Sequence, residues 1–143
     1  MDIRIAVDAV GGDHGPGPIV AGAVAAAREL PVSLVLAGPV AVVRPLVEAL
    51  PDARGLSVRY VDAGGAIAMD EPPAAVLRRR ADASILAAAG EVAAGRADAL
   101  YSAGHTGATV VAAHSRFGML PGVDRPALAA TILSVRMWFT RDE

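Results

Sequence analysis

The stretch IRIAVDAVGGDHGPG, residues 3–17, runs from a continuous apolar segment directly into a glycine-rich loop. An unbroken apolar segment of this length is typical of a parallel strand that is buried on both faces. The loop has no large apolar side chain to bury, and Gly11, Gly12 and Gly15 leave its backbone open to close approach. The stretch therefore predicts a buried strand that ends at a loop able to contact a ligand through backbone amides.

Segments of strand length and helix length alternate along the rest of the chain. We predict strands over 3–9, 32–38, 56–63 and 97–104, and helices over 18–30, 39–50, 82–95 and 106–119. Pro45 should kink or shorten the second helix. Asp82 or Ser84 should cap the third helix and Gly95 should end it. Four strand–helix units in succession predict an α/β fold with an open, mainly parallel sheet.

Composition excludes several classes of chemistry. The chain has 143 residues, enough for one domain with a sizeable core, and carries a net charge of −2, which gives no electrostatic footprint for nucleic acid. No apolar run reaches the ~20 residues of a membrane span, and the N-terminus reads as a strand rather than a signal peptide. Cysteine and lysine are absent, which removes thiol nucleophiles, cysteine-bound metals, the P-loop lysine and Schiff-base lysines. We expect a cytoplasmic protein.

The first candidate site is the loop GGDHGPG, residues 11–17. Its glycines permit positive φ angles, and the helix that follows directs the positive end of its dipole towards the same place. The spacing is not that of a dinucleotide-binding loop, and a tight glycine turn without a ligand is the structural alternative. Asp13 and His14 favour a ligand site, because a turn alone would not require a titratable pair.

The second candidate site is the loop SAGHTGA, residues 102–108. We expect Thr106 to cap the helix that begins near Gly107. Ser102, His105 and the amides of Gly104 and Gly107 would then surround the N-terminus of that helix as an anion cradle. Because ligands of open α/β sheets bind beyond the carboxyl ends of the strands, we predict that the two loops lie together at one edge of the sheet and share an anion.

The third feature is the basic run Arg78, Arg79 and Arg80, which follows the acidic pair at 70–71. Charge runs usually lie on a solvated helix face. The functional alternative is docking of an acidic partner or of a phosphate-bearing tether. His114 lies within an apolar helix pattern, and we assign it no role.

Four stretches, in order, resemble the N-terminal part of the PlsX family of phosphate acyltransferases: RIAVDAVGGDHGP (4–16), DEPPAAVLRRR (70–80), SAGHTGA (102–108) and GVDRPALAAT (122–131). Each motif is short, but four in register are highly specific. Position 10 is more usually Met in that family and is Val here. His105 stands where many members of the family carry Asn.

The resemblance implies a three-layer α/β/α fold and a reaction without metal or cofactor. Inorganic phosphate attacks the thioester of a fatty acyl group on acyl carrier protein, giving acyl phosphate for phospholipid biosynthesis. It also implies a cytoplasmic homodimer close to the inner face of the membrane. Phosphate is the nucleophile, so the two loops would hold it and stabilise the oxyanion. His14 or His105 is a weak candidate for protonating the leaving thiolate, and the arginine run would suit the carrier protein.

The resemblance covers residues 1–131, and residues 132–143 read as an atypical tail. Members of the family are more than twice as long, so the chain looks like a truncated N-terminal part and is expected to be inactive and poorly stable alone. A second hypothesis is therefore a non-catalytic module that binds phosphate or carrier protein. A third, a dinucleotide-dependent oxidoreductase, is disfavoured by the glycine spacing.

Overall fold

The computed structural model describes residues 3–68, 70–72 and 78–127. Their elements are β1 (Ile3–Asp8), α1 (Pro16–Glu29), β2 (Val32–Gly38), α2 (Val40–Glu48), a 3₁₀ turn (Pro51–Ala53), β3 (Val58–Asp62), α3 (Ser84–Ala93), β4 (Ala99–Tyr101) and α4 (Thr106–Phe117). The four strands form one sheet in the order β3-β2-β1-β4, and every neighbouring pair is parallel. The predicted α/β class and parallel sheet are confirmed.

The two faces of the sheet are covered by different helices. On one face, Val7 and the leucines of β2 pack with Val20 and Val24 of α1 and with Val43 of α2. Alternate residues of the same strands pack on the other face against Ala88 of α3. Since period-two alternation sends successive side chains to opposite faces, the continuous apolar strands bury both sides. The result is the three-layer α/β/α arrangement.

Several predicted boundaries and caps need correction. Helix α1 begins at Pro16 rather than 18, because proline fits the first turn, where its missing N–H costs nothing. Pro45 lies inside α2, which is shorter than predicted and ends at Glu48. The N-cap of α3 is Ala83 without a side-chain cap, so the prediction of Asp82 or Ser84 as cap was wrong. The hydroxyl of Ser84 donates to Asp8 instead, and this buried carboxylate outcompetes local capping.

One helix cap comes from a distant strand. The Asp62 carboxylate at the end of β3 accepts a hydrogen bond of 3.0 Å from the Val40 amide at the start of α2. This contact satisfies one of the orphan amides of α2, whose N-cap, Pro39, provides no side-chain acceptor. The predicted strand 97–104 shrinks to three residues, whereas Gly95 ends α3 with a φ of 69° as expected.

A buried ion-pair network fastens α3 to the sheet. The Glu91 side chain is only 8% exposed and accepts hydrogen bonds from Arg96, which follows α3, and from Arg59 on β3. The hydrogen bond from Arg96 makes the largest contribution to a pKa of Glu91 of about 2, and Arg59 lowers it further against the effect of burial. The carboxylate is therefore more acidic in the folded chain than in the unfolded chain.

This network predicts a loss of stability in acid. Because the pKa of Glu91 is depressed from 4.5 to about 2, its contribution is complete above pH 4.5 and is lost as the pH falls towards 2. Both arginines are about half exposed, so we expect a contribution of about 1 kcal/mol. Thermal unfolding followed between pH 7 and pH 2 should show a shallower acid limb for Glu91→Gln than for the wild type. Parallel acid limbs would contradict the assignment.

No helix in the described part of the chain is long and apolar enough to cross a membrane.

Candidate functional site

The two predicted loops meet where the sheet changes its winding direction. Strands β1 and β4 are neighbours, but the chain leaves β1 for α1 on one face and leaves β4 for α4, which packs with α3 on the other face. The helices that follow the two loops therefore lie on opposite faces, and a crevice is lined by both loops at the carboxyl ends of the strands. Crevices at such topological switch points are the usual ligand sites of open α/β sheets.

The contacts between the loops are close. A Cβ atom on Gly104 would lie 3.2 Å from the Gly11 Cα atom, and one on Gly12 would lie 3.3 Å from the Ala103 carbonyl oxygen. Gly12 also has a φ of 117°, which strongly favours glycine. The prediction that GGDHG and SAGHTG lie together at one sheet edge is confirmed.

A buried carboxylate forms the floor of the crevice. Asp8, the last residue of β1, is 3% exposed and accepts hydrogen bonds from the Ser84 hydroxyl at 2.6 Å and the Ser102 hydroxyl at 2.9 Å. Its third donor is the Gly11 amide at 3.2 Å. The sequence analysis did not single out Asp8, although an acidic residue at the end of an apolar strand, three positions before the first of two glycines, was a visible signal.

Some of the expected cradle amides are used within the protein. The Gly104 amide donates to the Ser102 hydroxyl at 3.1 Å, and the Gly107 amide donates to Nδ1 of His105 at 3.0 Å. Among the described residues, the backbone amides of Gly12, Asp13, His14 and Thr106 are among those at this edge that have no protein acceptor. An anion at the crevice would therefore be held by the first loop and by Thr106 rather than by Gly104 and Gly107.

The first helix adds few donors of its own. Pro16 and Pro18 occupy two of the first three positions of α1, and proline has no N–H group. Gly17 supplies the remaining amide of that turn. The exposed turn residues Asp13 and His14 stand just before it, so the first loop, more than the helix, offers amides to an anion.

His105 caps α4, and the predicted cap Thr106 is the first helical residue. The imidazole Nδ1 accepts from the amides of Gly107 and Ala108, at 3.0 and 3.4 Å. A neutral ring with Nδ1 as acceptor carries its proton on Nε2, which is then a hydrogen-bond donor. An imidazolium would turn Nδ1 into a donor facing two donors. The geometry therefore favours His105 as a neutral donor to an anion over a role as general acid.

Two replacements of His105 test whether its side chain caps α4. Asparagine can accept from the same amides through Oδ1 and donate through its amide group, so His105→Asn should unfold within a few degrees of the wild type. His105→Ala loses the cap and should be destabilised by about 1 kcal/mol. Thermal unfolding of both variants checks this expectation, and equal stabilities would show that the Nδ1 contacts do not cap α4.

The crevice is narrow and has an apolar wall. Its empty volume is about 180 Å³, with no room inside for a water-sized sphere, so a ligand would sit at its mouth. Ala66 and Ile67 line the crevice together with Gly104 and His105. The guanidinium of Arg80 holds this wall by donating to the carbonyl oxygens of Gly65 and Ala66, at 3.1 and 3.0 Å.

The three arginines therefore differ in their surroundings. Arg78 and Arg79 are exposed, whereas Arg80 is partly buried against the crevice wall and lies 4.0 Å from the Glu71 carboxylate. Carrier-protein docking by this run stays a prediction, and Arg78 and Arg79 are the two whose charges face solvent. The tail at 132–143 lies outside the described residues.

Fold and site together define a doubly wound α/β protein with a polar crevice at its switch point. Residues 3–137 match the model of a family described as fatty acid synthesis protein, and the chain belongs to that family. It is 47% identical over 135 residues to a phosphate acyltransferase of a Nostoc species, covering 94% of this chain and 39% of the relative. The phosphate acyltransferase of Heliobacterium modesticaldum is 47% identical over 131 residues, covering 92% of this chain and 39% of the relative.

A third relative, the phosphate acyltransferase of Thermosynechococcus vestitus, is 48% identical over 130 residues, covering 90% of this chain and 37% of the relative. The chain thus spans less than two fifths of the length of the curated relatives it matches. The family resemblance inferred from the four sequence motifs is confirmed.

Proposed function

We propose that this chain is the phosphate-holding part of a phosphate acyltransferase, which forms acyl phosphate from fatty acyl-acyl carrier protein and inorganic phosphate in phospholipid biosynthesis. The observation that carries the proposal is the convergence of two glycine-rich loops on one switch-point crevice, with unpartnered amides at its mouth. The names of the relatives support the acyltransferase class.

The proposed reaction requires no covalent intermediate on the protein, because phosphate itself is the nucleophile. A phosphate oxygen bonds to the thioester carbonyl carbon, the C–S bond breaks, and the thiolate of the carrier leaves and takes up a proton. Amides of the first loop, the Thr106 amide and Nε2 of His105 would orient phosphate against the carbonyl. Donors fixed in advance would also stabilise the tetrahedral oxyanion. Thiolates leave without much assistance, so His14 remains only a weak candidate for a general acid.

The second candidate function is a module that binds phosphate or carrier protein without turnover. The observation that favours it is the crevice itself, which has unpartnered amides at its mouth but an empty volume of only about 180 Å³. For the longer enzymes of the family we also propose a cytoplasmic location and a homodimeric state. We further propose that they associate peripherally with the inner face of the membrane.

A chimera tests the catalytic proposal. Residues 3–137 of this chain would replace the matched segment of the Nostoc relative, and acyl phosphate formed from acyl carrier protein thioester and inorganic phosphate would be trapped with hydroxylamine. We expect turnover within about tenfold of the unmodified relative, which serves as the positive control. A folded chimera that binds phosphate but forms no acyl phosphate would favour the binding module.

Charge reversal tests carrier-protein docking. We expect the double variant Arg78→Glu, Arg79→Glu to bind the acidic acyl carrier protein at least tenfold more weakly at low salt, with a smaller difference at high salt. The matched control is Arg28→Glu, Arg54→Glu, which makes the same charge change at two other exposed positions. Fluorescence anisotropy of labelled carrier protein provides the measurement. Equal weakening in both double variants would assign the effect to net charge alone.

A further inference from the structure

We propose that Asp8 is a positioning residue of the crevice and that it acts on the second loop through Ser102. The proposal rests on the phosphate-holding function above, because the loop it orients ends at the Thr106 amide. It assigns a role to a carboxylate that touches no substrate.

The first argument is the energetic cost of burying Asp8. Two carboxylates are buried in the described part of the chain, Asp8 and Glu91. Glu91 is compensated by two arginines, whereas the donors that reach Asp8 are two hydroxyls and one amide, all neutral. A buried carboxylate without a cation is costly even when it is hydrogen bonded. The presence of Asp8 at the end of β1 is explained if its hydrogen bonds hold the second loop in a position that a neutral side chain would not fix.

The second argument is the origin of the three donors. Oδ1 accepts from Gly11 in the first loop and from Ser84 at the start of α3, and Oδ2 accepts from Ser102 after β4. One side chain therefore connects the first loop, the opposite helical layer and the second loop.

The third argument is the direction of the hydrogen bonds through Ser102. A hydroxyl has one proton, and Ser102 donates it to Asp8 at 2.9 Å. Its oxygen is then left to accept from the Gly104 amide at 3.1 Å. This sequence of two bonds turns the Gly104 amide inwards and fixes the loop just before His105 and the Thr106 amide.

Ser84 provides a matched control, because it donates to the same carboxylate and is fully buried but, among the described residues, forms no hydrogen bond with the second loop. Ser84→Ala should therefore destabilise the fold at least as much as Ser102→Ala. Only Ser102→Ala should release the second loop. A purely structural role for Asp8 predicts that the two variants loosen the crevice equally.

The experiment uses amide hydrogen exchange at Gly104 and binding of inorganic phosphate to the 143-residue chain, with unfolding temperature measured alongside. In Ser102→Ala we expect Gly104 exchange to rise by about tenfold and the phosphate Kd to rise by a similar factor, as for loss of a hydrogen bond to a charged group. Ser84→Ala should leave both within about threefold. Ser102→Thr keeps the hydroxyl and should restore both quantities, whereas the equally sized Ser102→Val should not.

Equal exchange at Gly104 in the two alanine variants would overturn the proposal, as would wild-type behaviour of Ser102→Val. If Ser102→Ala does not fold, the threonine and valine variants decide the question. Failure of the wild-type chain to bind phosphate would count against the proposed function, while the exchange rates at Gly104 would still test the action of Asp8 through Ser102.

Discussion

Gly11→Ala is expected to cause the largest loss of stability and of phosphate binding of any single-methyl change at the site. A Cβ atom on Gly11 would lie 2.3 Å from Oδ2 of Asp8 and 2.9 Å from its Cγ atom. Asp8 is short, buried and held by three donors, so it cannot move aside without breaking those contacts. We expect a loss of about 3 kcal/mol, with an unfolding temperature lower by roughly 10 °C and no measurable phosphate binding.

Gly22→Ala is the matched control for this change. Gly22 lies inside α1, and a Cβ atom there would meet nothing within 4 Å. Alanine in a helix interior should stabilise the chain by roughly 0.5–1 kcal/mol. Calorimetry of both variants, with phosphate titration by isothermal methods, makes the comparison. A Gly11→Ala protein that melts and binds like the wild type would refute the close packing of the first loop on Asp8.

The second large effect is expected for the isolated chain, which should form no detectable acyl phosphate and should self-associate. In the described residues, β4 pairs only with β1, so its outer edge is open, and Tyr101 on it is 53% exposed. Beside it lies an apolar groove of about 420 Å³ between α1 and the sheet, lined by Ile5, Val7, Ile19 and Leu34 among others. Open edges beside apolar surface favour association.

Loss of turnover has a separate cause. Among the described residues, the crevice beside the unpartnered amides has an empty volume of about 180 Å³, which is too small for an acyl thioester. Without orientation of the thioester, about 7–11 kcal/mol of barrier lowering is unavailable. Hydroxylamine trapping should therefore give the same rate with the isolated chain as with buffer, under conditions in which the Nostoc relative is active.

Sedimentation at increasing concentration tests the association. Tyr101→Glu should shift the chain towards monomer, because a charge on an edge strand opposes pairing between edges. Val42→Glu places the same charge on α2 at a residue of similar exposure, 47%, and should change association little. A monomeric wild-type chain at all concentrations, or an active one, would contradict the prediction.

Local patterns predicted the elements of this fold well and its hydrogen bonds poorly. Strand β2 was predicted at 32–38, where the structure has it, because its residues are almost all buried and apolar. The juxtaposition of the two loops was predicted by the general rule for parallel sheets. The caps were predicted wrongly because the prediction used only the statistical preference of each residue type for the N-cap position. That preference selected Thr106 for α4, where the cap is His105, and proposed Ser84 for α3, which has no side-chain cap.

The role of Asp8 depends on partners that no local pattern contains. Its hydroxyl donors lie 76 and 94 positions further along the chain. The sequence analysis also missed that the Gly104 amide donates to Ser102, which in turn donates its own proton to Asp8. Arg80 was grouped with Arg78 and Arg79 by charge, whereas its tertiary contacts place it against the crevice wall.

The hydrogen bonds from Ser84 and Ser102 to Asp8 also have a consequence for the order of folding. Contacts between residues so far apart cost loop entropy before they contribute any stability, so they form late in folding. During synthesis the first loop leaves the ribosome long before Ser102, and the crevice between the two loops forms only when β4 docks beside β1. An anion that binds there binds only the completed sheet, so it stabilises the folded state relative to all partly folded states by mass action. A phosphate ion bound in this crevice would then also favour folding.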